Sequence, residues 1–127
     1  MNIAITKKSG WRDFNESGAL LGEKDSALVS TFHKSEMDRF KKVEYNKVKV
    51  SCLKWATFAD AYPKSYDFIS IDVEGCEMEI LPHMDLSKTR MVCIEWNTDP
   101  TKRTQYEEYL KGFKLIDVNQ ENLIYAK

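Results

Sequence analysis

The stretch Tyr66-Asp67-Phe68-Ile69-Ser70-Ile71-Asp72-Val73-Glu74-Gly75-Cys76-Glu77-Met78-Glu79-Ile80-Leu81 decides the fold. Tyr66 to Val73 is short, largely apolar and ends in acids, which suits a strand covered on both faces. Gly75 breaks the run, and Cys76 to Leu81 reads as one or two helical turns ended by Pro82. Met91-Val92-Cys93-Ile94-Glu95-Trp96 is a second strand of the same kind. Between it and the C-terminus, Asp99-Pro100 supplies an N-cap and a first-turn proline for a helix. Tyr106, Tyr109 and Leu110 share one face of that helix, and Gly112 ends it. Phe113 to Val118 and Asn122 to Ala126 then read as two strands of a hairpin.

Upstream of the deciding stretch, Val48, Val50 and Cys52 alternate with Lys47, Lys49 and Ser51, the pattern of a half-buried strand. Trp55, Phe58, Ala59 and Tyr62 follow at helical spacing, and Pro63 stops that helix. Asn2 to Thr6 reads as a short strand, Lys7 to Gly10 as a turn, and Trp11 to Phe14 as another short strand. Residues 15–27, with Gly18 and Gly22, read as a loop. Leu28 to Phe32 is strand-like, and Ser35 with Asp38 starts a short helix. The alternation of strand and helix predicts a mainly parallel α/β sheet with flanking helices and an antiparallel end.

The chain has 127 residues, enough for one domain spanning 1–127, and a formal net charge of −1. Three Trp, six Tyr and six Phe argue against disorder. Near-neutral charge removes the electrostatic case for a nucleic-acid binder. No apolar run approaches the roughly 20 residues that a membrane helix needs. Cys52, Cys76 and Cys93 are odd in number and none are spaced as a CxxC pair. They fit a reducing, cytoplasmic compartment better than a disulfide framework or a structural zinc site.

Ligands of open α/β sheets sit at the carboxyl ends of parallel strands. Two strands end there in acids: one at Asp72 and Glu74, the other at Glu95. If the strands are neighbours, the three carboxylates share a crevice. Either one carboxyl is then kept protonated or a hard cation binds between them. Asp72 or Glu74 is a candidate general base toward a hydroxyl. Acids in the first turn of a helix also favour its dipole, which is the plain reading of Glu77 and Glu79.

The same stretch resembles the D-F-[IL]-K-I-D-V-E-G-x-E hallmark of FkbM-type methyltransferases. Val48-Lys49-Val50-Ser51-Cys52-Leu53 is similar to the strand before that hallmark, and Arg90 to Trp96 to the strand after it. Gly112-Phe113 is similar to the start of the terminal hairpin, and Asn2 to Ile5 with Gly10 and Phe14 to an upstream strand and hairpin. The resemblance implies a partial class I, Rossmann-like methyltransferase fold: a mixed sheet with flanking helices and a C-terminal antiparallel hairpin. It also implies transfer of a methyl group from S-adenosylmethionine to a hydroxyl. It carries Asp72, Glu74 and Glu95 over as catalytic residues and Glu77 as a substrate contact.

Two departures accompany it. Ser70 stands where the family usually carries Lys. The family's Gly-rich cofactor turn does not occur in 1–127, so no residue is assigned to the cofactor, and the chain starts near the third strand of the family pattern. Three accounts follow. One is a partial methyltransferase whose upstream half is supplied by another polypeptide or by an upstream coding region. The second, favoured for these residues by themselves, is a non-catalytic interaction module built on the same fold. The third is a carboxylate metal site serving hydrolysis. Without its usual neighbour the hallmark strand has an open edge. Either the strand at residues 2–6 covers it, or a second copy of the chain does, giving a homo-oligomer.

Overall fold

A computed structural model of the chain describes residues 3–18, 30–39, 43–62 and 64–127. Among the described residues, seven strands fall into two sheets. The first holds β1 (Ala4–Ile5), β2 (Gly10–Ser17) and β3 (Tyr45–Leu53) in the order β1-β3-β2. The second holds β4 (Phe68–Ile71), β5 (Met91–Glu95), β6 (Lys114–Val118) and β7 (Asn122–Ala126) in the order β4-β5-β7-β6. Helices α1 (Lys34–Arg39), α2 (Trp55–Ala61), α3 (Glu77–Ile80) and α4 (Pro100–Tyr109) complete the described elements, with a 3-10 turn at Leu81–His83.

The α/β class holds, and the sheets are mixed, as the expected parallel strands with an antiparallel end imply. Among the described residues, β1–β3 and β4–β5 pair in parallel. The β2–β3, β5–β7 and β6–β7 pairs are antiparallel. One mainly parallel sheet was expected, and two separate sheets form. β1 pairs with β3 and leaves β4 with β5 as its one neighbour among the described residues. Thus the strand at residues 2–6 does not cover the β4 edge.

The core lies on one face of the second sheet. Ile71 faces Ile94 across the β4–β5 pair, and Ile94 faces Leu123 across β5–β7. These side chains, with Val92 and Tyr125, bury against Leu81 of the 3-10 turn, against Tyr106 of α4 and against Leu110, which caps its end. The opposite face corrects the sequence reading of β4. Its burial alternates, and Phe68 is 54% exposed. Met91 on β5, in register with Phe68, is also exposed, as is Ile116 on β6. This face is not buried as the inner one is, so the apolar run of β4 is covered on one side only.

Local details follow side-chain chemistry. Asp99 caps α4 by accepting from the Thr101 amide at 2.8 Å. Pro82 does not end the helix before it; it sits inside the 3-10 turn, near the start, where its missing N–H costs nothing. Residues 15–17, expected in a loop, extend β2 because Asn15, Glu16 and Ser17 pair with Lys47, Asn46 and Tyr45. The rest of that expected loop, from residue 19 on, lies outside the described residues, as do Asn2, Leu28, Val29 and Pro63. Thr31 forms an isolated antiparallel bridge to Asn15. Cys52 and Cys76 are buried and Cys93 is half-buried, all as free thiols. No helix among the described residues is long and apolar enough to cross a membrane.

One carboxylate ties the two sheets together. Glu79 on α3 meets Lys7 at 3.3 Å, Arg12 at 3.3 Å and His33 at 3.1 Å. Burial pulls its carboxyl up, but Lys7, Arg12 and His33 together outweigh that and hold it below the ordinary carboxylate value. Its stabilisation is therefore present above about pH 4.5 and lost as pH falls through the lowered folded value. Glu79→Ala is expected to cost about 1–2 kcal/mol at pH 7, since the partners are partly solvated, and less at pH 3. Urea unfolding at the two pH values checks this.

Candidate active site

Parallel pairing of β4 and β5 builds the site. The register that sets Ile71 beside Ile94 carries both strands one residue further, to Asp72 and Glu95. The chain then turns sharply. Glu74 has φ 46° and Gly75 φ 91°, so Glu74 adopts a left-handed conformation that only glycine takes without strain. Three contacts hold the turn. Thr31 Oγ1 donates to the Glu74 carbonyl at 2.8 Å. The Gly75 amide donates to Glu77 Oε1 at 3.1 Å. The Cys76 amide donates to the Val73 carbonyl at 3.2 Å. The turn returns Glu74 toward the strand ends, and ligand oxygens of Asp72, Glu74 and Glu95 all lie within 4.8 Å of one another.

The electrostatics follow from that crowding. Burial, then Glu95, Asp72, Glu36 and Glu77, push the Glu74 carboxyl up to about 7. Burial and then Glu77 and Glu121 raise Asp72, against a smaller pull from Lys102. Burial also raises Glu95, opposed by the hydrogen bond from Asn97. Asn97 Nδ2 donates to Glu95 Oε1 at 2.8 Å, and Glu95 Oε2 is buried with no hydrogen-bond partner.

Glu77 stands apart from this trio. It is 2% exposed, and besides the Gly75 amide it meets Lys102 Nζ at 3.4 Å. Its contacts shape the turn. Three residues of this neighbourhood escaped the sequence reading of the site. Asn97 orients Glu95, Lys102 answers Glu77, and Tyr106 donates from its hydroxyl to the Glu95 carbonyl at 2.9 Å. Only Asn97 had a local signal, two residues after Glu95. In a second group of ligand-type side chains, His33, Cys76 and Glu79, the Glu79 carboxylate is already paired with Lys7 and Arg12. Burial, with Glu79 and Glu77 nearby, pushes the Cys76 thiol up to about 12, which leaves it unreactive.

Asp72 and Glu74 rim a cleft of about 1060 Å³ between the first sheet and β4. Ile69 to Glu74 line it in succession, facing Ile5, Phe14 and Trp55. The indole N–H of Trp55 is buried there without a hydrogen-bond partner. The volume is at the upper end of those that small-molecule sites enclose.

The family model for the methyltransferase FkbM domain matches residues 2–120. The chain belongs to the FkbM methyltransferase domain family. No curated protein and no solved structure matches it. Membership makes the chain methyltransferase-related, and it places the acidic turn of this FkbM domain within the matched region.

The glycines test whether the domain's described residues fit a nucleoside-bearing methyl donor. A cofactor cradle needs glycine amides free to face the ligand. The Gly18 amide is spent on the Glu44 carbonyl at 2.7 Å, and a Cβ added there would meet that oxygen at 3.2 Å. The Gly75 amide is spent on Glu77. Gly10 lies in β2, paired with Cys52, and Gly112 lies in the turn before β6. Among the described residues there is no such cradle.

Proposed function

We propose that this FkbM domain supplies the acceptor side of an S-adenosylmethionine-dependent O-methyltransferase site on a partial class I methyltransferase sheet. Asp72, Glu74 and Glu95 face the acceptor hydroxyl, and Glu74 is its general base. The observation that carries this reading is the Glu74 carboxyl. It is raised to about 7 beside two other acids, and it lines a cleft between β4 and the first sheet. A base with a pKa near the working pH is ionised often enough to act and basic enough to accept a proton. S-adenosylmethionine would supply an electrophilic methyl group. The described residues do not fit it, so no step is assigned to them through it. Glu77, held by Gly75 and Lys102, positions the turn that carries Glu74.

Calorimetric titration with S-adenosylmethionine and S-adenosylhomocysteine tests the reading. Micromolar binding by the purified chain supports a complete site formed by this polypeptide. Absence of binding by a folded sample points to a cofactor side contributed from outside these residues, by an upstream half or a partner protein. Failure of the chain mixed with a chain carrying the upstream half of such a domain would overturn the enzymatic reading.

The second reading is a non-catalytic interaction module that self-associates through β4, and one observation favours it. The outer edge of β4 has no strand partner among the described residues, and the adjoining face exposes Phe68 and Met91. Open edges pair with other chains, and exposed apolar patches mark interfaces. Sedimentation across a concentration series is expected to show a dimer, and Phe68→Lys is expected to shift it to monomer. A monomer at every concentration would end this account. Under it, Asp72→Ala and Glu74→Ala would leave association unchanged.

A further inference from the structure

We propose that Asp72, Glu74 and Glu95 bind a hard divalent cation such as Mg²⁺, Mn²⁺ or Ca²⁺. Their ligand oxygens lie within 4.8 Å of one another. Oxygens sharing one such ion are separated by at most about twice a metal–oxygen distance, roughly 4–5 Å. The spacing therefore allows one ion to touch all three.

An independent observation concerns one of the same three side chains. Glu95 is 9% exposed, and its Oε2 is buried with no hydrogen-bond partner. A buried carboxylate oxygen left without a donor is costly, and a cation satisfies it directly. The other oxygen of Glu95 is already fixed by Asn97, as an outer partner fixes a metal-ligating carboxylate.

Lys102 acts on Asp72 and Glu95 only through space. Among the described residues, none of the salt bridges reaches Asp72, Glu74 or Glu95. Lys102, the nearby cation, pairs with Glu77. The donor set is all oxygen, which selects hard ions over zinc or copper. The ion would occupy the acceptor side proposed above, so its role toward a hydroxyl rests on that reading; its binding does not.

Mn²⁺ is the probe, titrated into the full chain without methyl donor or acceptor and followed by electron paramagnetic resonance. One saturable site is expected, with Mg²⁺ and Ca²⁺ competing for it. Glu95→Gln and Asp72→Asn are each expected to weaken binding at least about tenfold. Glu107→Gln, on the far end of α4 beside Arg103, should leave it unchanged. If either site variant fails to fold, the wild-type chain still decides. Paramagnetic broadening of amide resonances should begin at residues 72–76 and 95–98. No saturable binding at millimolar Mn²⁺, or broadening centred elsewhere, overturns the proposal. The calorimetric test separates the two readings. Mn²⁺ binding with no methyl-donor binding even when the upstream half is present removes the enzymatic account and keeps the ion, and methyl-donor binding without Mn²⁺ binding removes only the ion.

Discussion

Tyr106→Ala is expected to destabilise the chain by about 3–5 kcal/mol, the range for removing a large aromatic side chain from a core. Tyr106 is fully buried, at 0% exposure, in the cluster that joins α4 to the second sheet. Small domains have a total stability of roughly 5–15 kcal/mol, so this loss is a large share. Tyr106→Phe separates packing from hydrogen bonding. It keeps the ring and removes the donor to the Glu95 carbonyl at 2.9 Å, with an expected cost of about 1–2 kcal/mol. Urea unfolding should show lower midpoints for both variants with an unchanged slope. A loss below 1 kcal/mol for the alanine variant would mean that α4 does not pack as described.

Glu74→Gln is expected to move stability and activity in opposite directions. The Glu74 carboxyl is raised from 4.5 to about 7, chiefly by burial and then by Glu95 and Asp72. Ionising it therefore costs the folded state. The stability associated with its neutral form is fully present below about pH 4.5 and is lost as pH rises through about 7. Glutamine is neutral throughout and avoids that loss. At pH 8 the variant should be more stable than the parent by on the order of 1 kcal/mol, a figure reduced for the solvent that reaches the site. At pH 4 the two should match. In an assembly that transfers methyl groups, the same substitution should lower the rate by about 100-fold or more, the usual contribution of a general base. Equal stability at pH 4 and a gap at pH 8 would identify Glu74 as the group that titrates.

Both predictions depend on residues that the sequence exposed to different degrees. The Tyr106 position on a buried helix face was legible from its spacing with Leu110. Its hydroxyl bond to Glu95 was not, because nothing local indicates which carbonyl a helix will meet. Asp72, Glu74 and Glu95 were legible as acids ending two strands. Their meeting was conditional on those strands being neighbours, and the parallel β4–β5 register satisfies that condition. The turn conformation of Glu74 was hidden, since Gly75 accounted for the break and the strain falls one residue earlier.

The sequence by itself determined the strands from Met91 to Ala126, the cap at Asp99, the acids at the strand ends and the family to which the chain belongs. These rest on short-range chemistry: apolar spacing, a capping side chain, a motif read in order. Tertiary structure alone decided that β1 joins β3 and leaves the β4 edge without it, that the apolar run of β4 is covered on one face, and that three carboxylates converge. Strand partners, sheet coverage and register depend on which distant surfaces bury each other. A local pattern of apolar residues is compatible with several such pairings, and only packing of the whole chain selects among them.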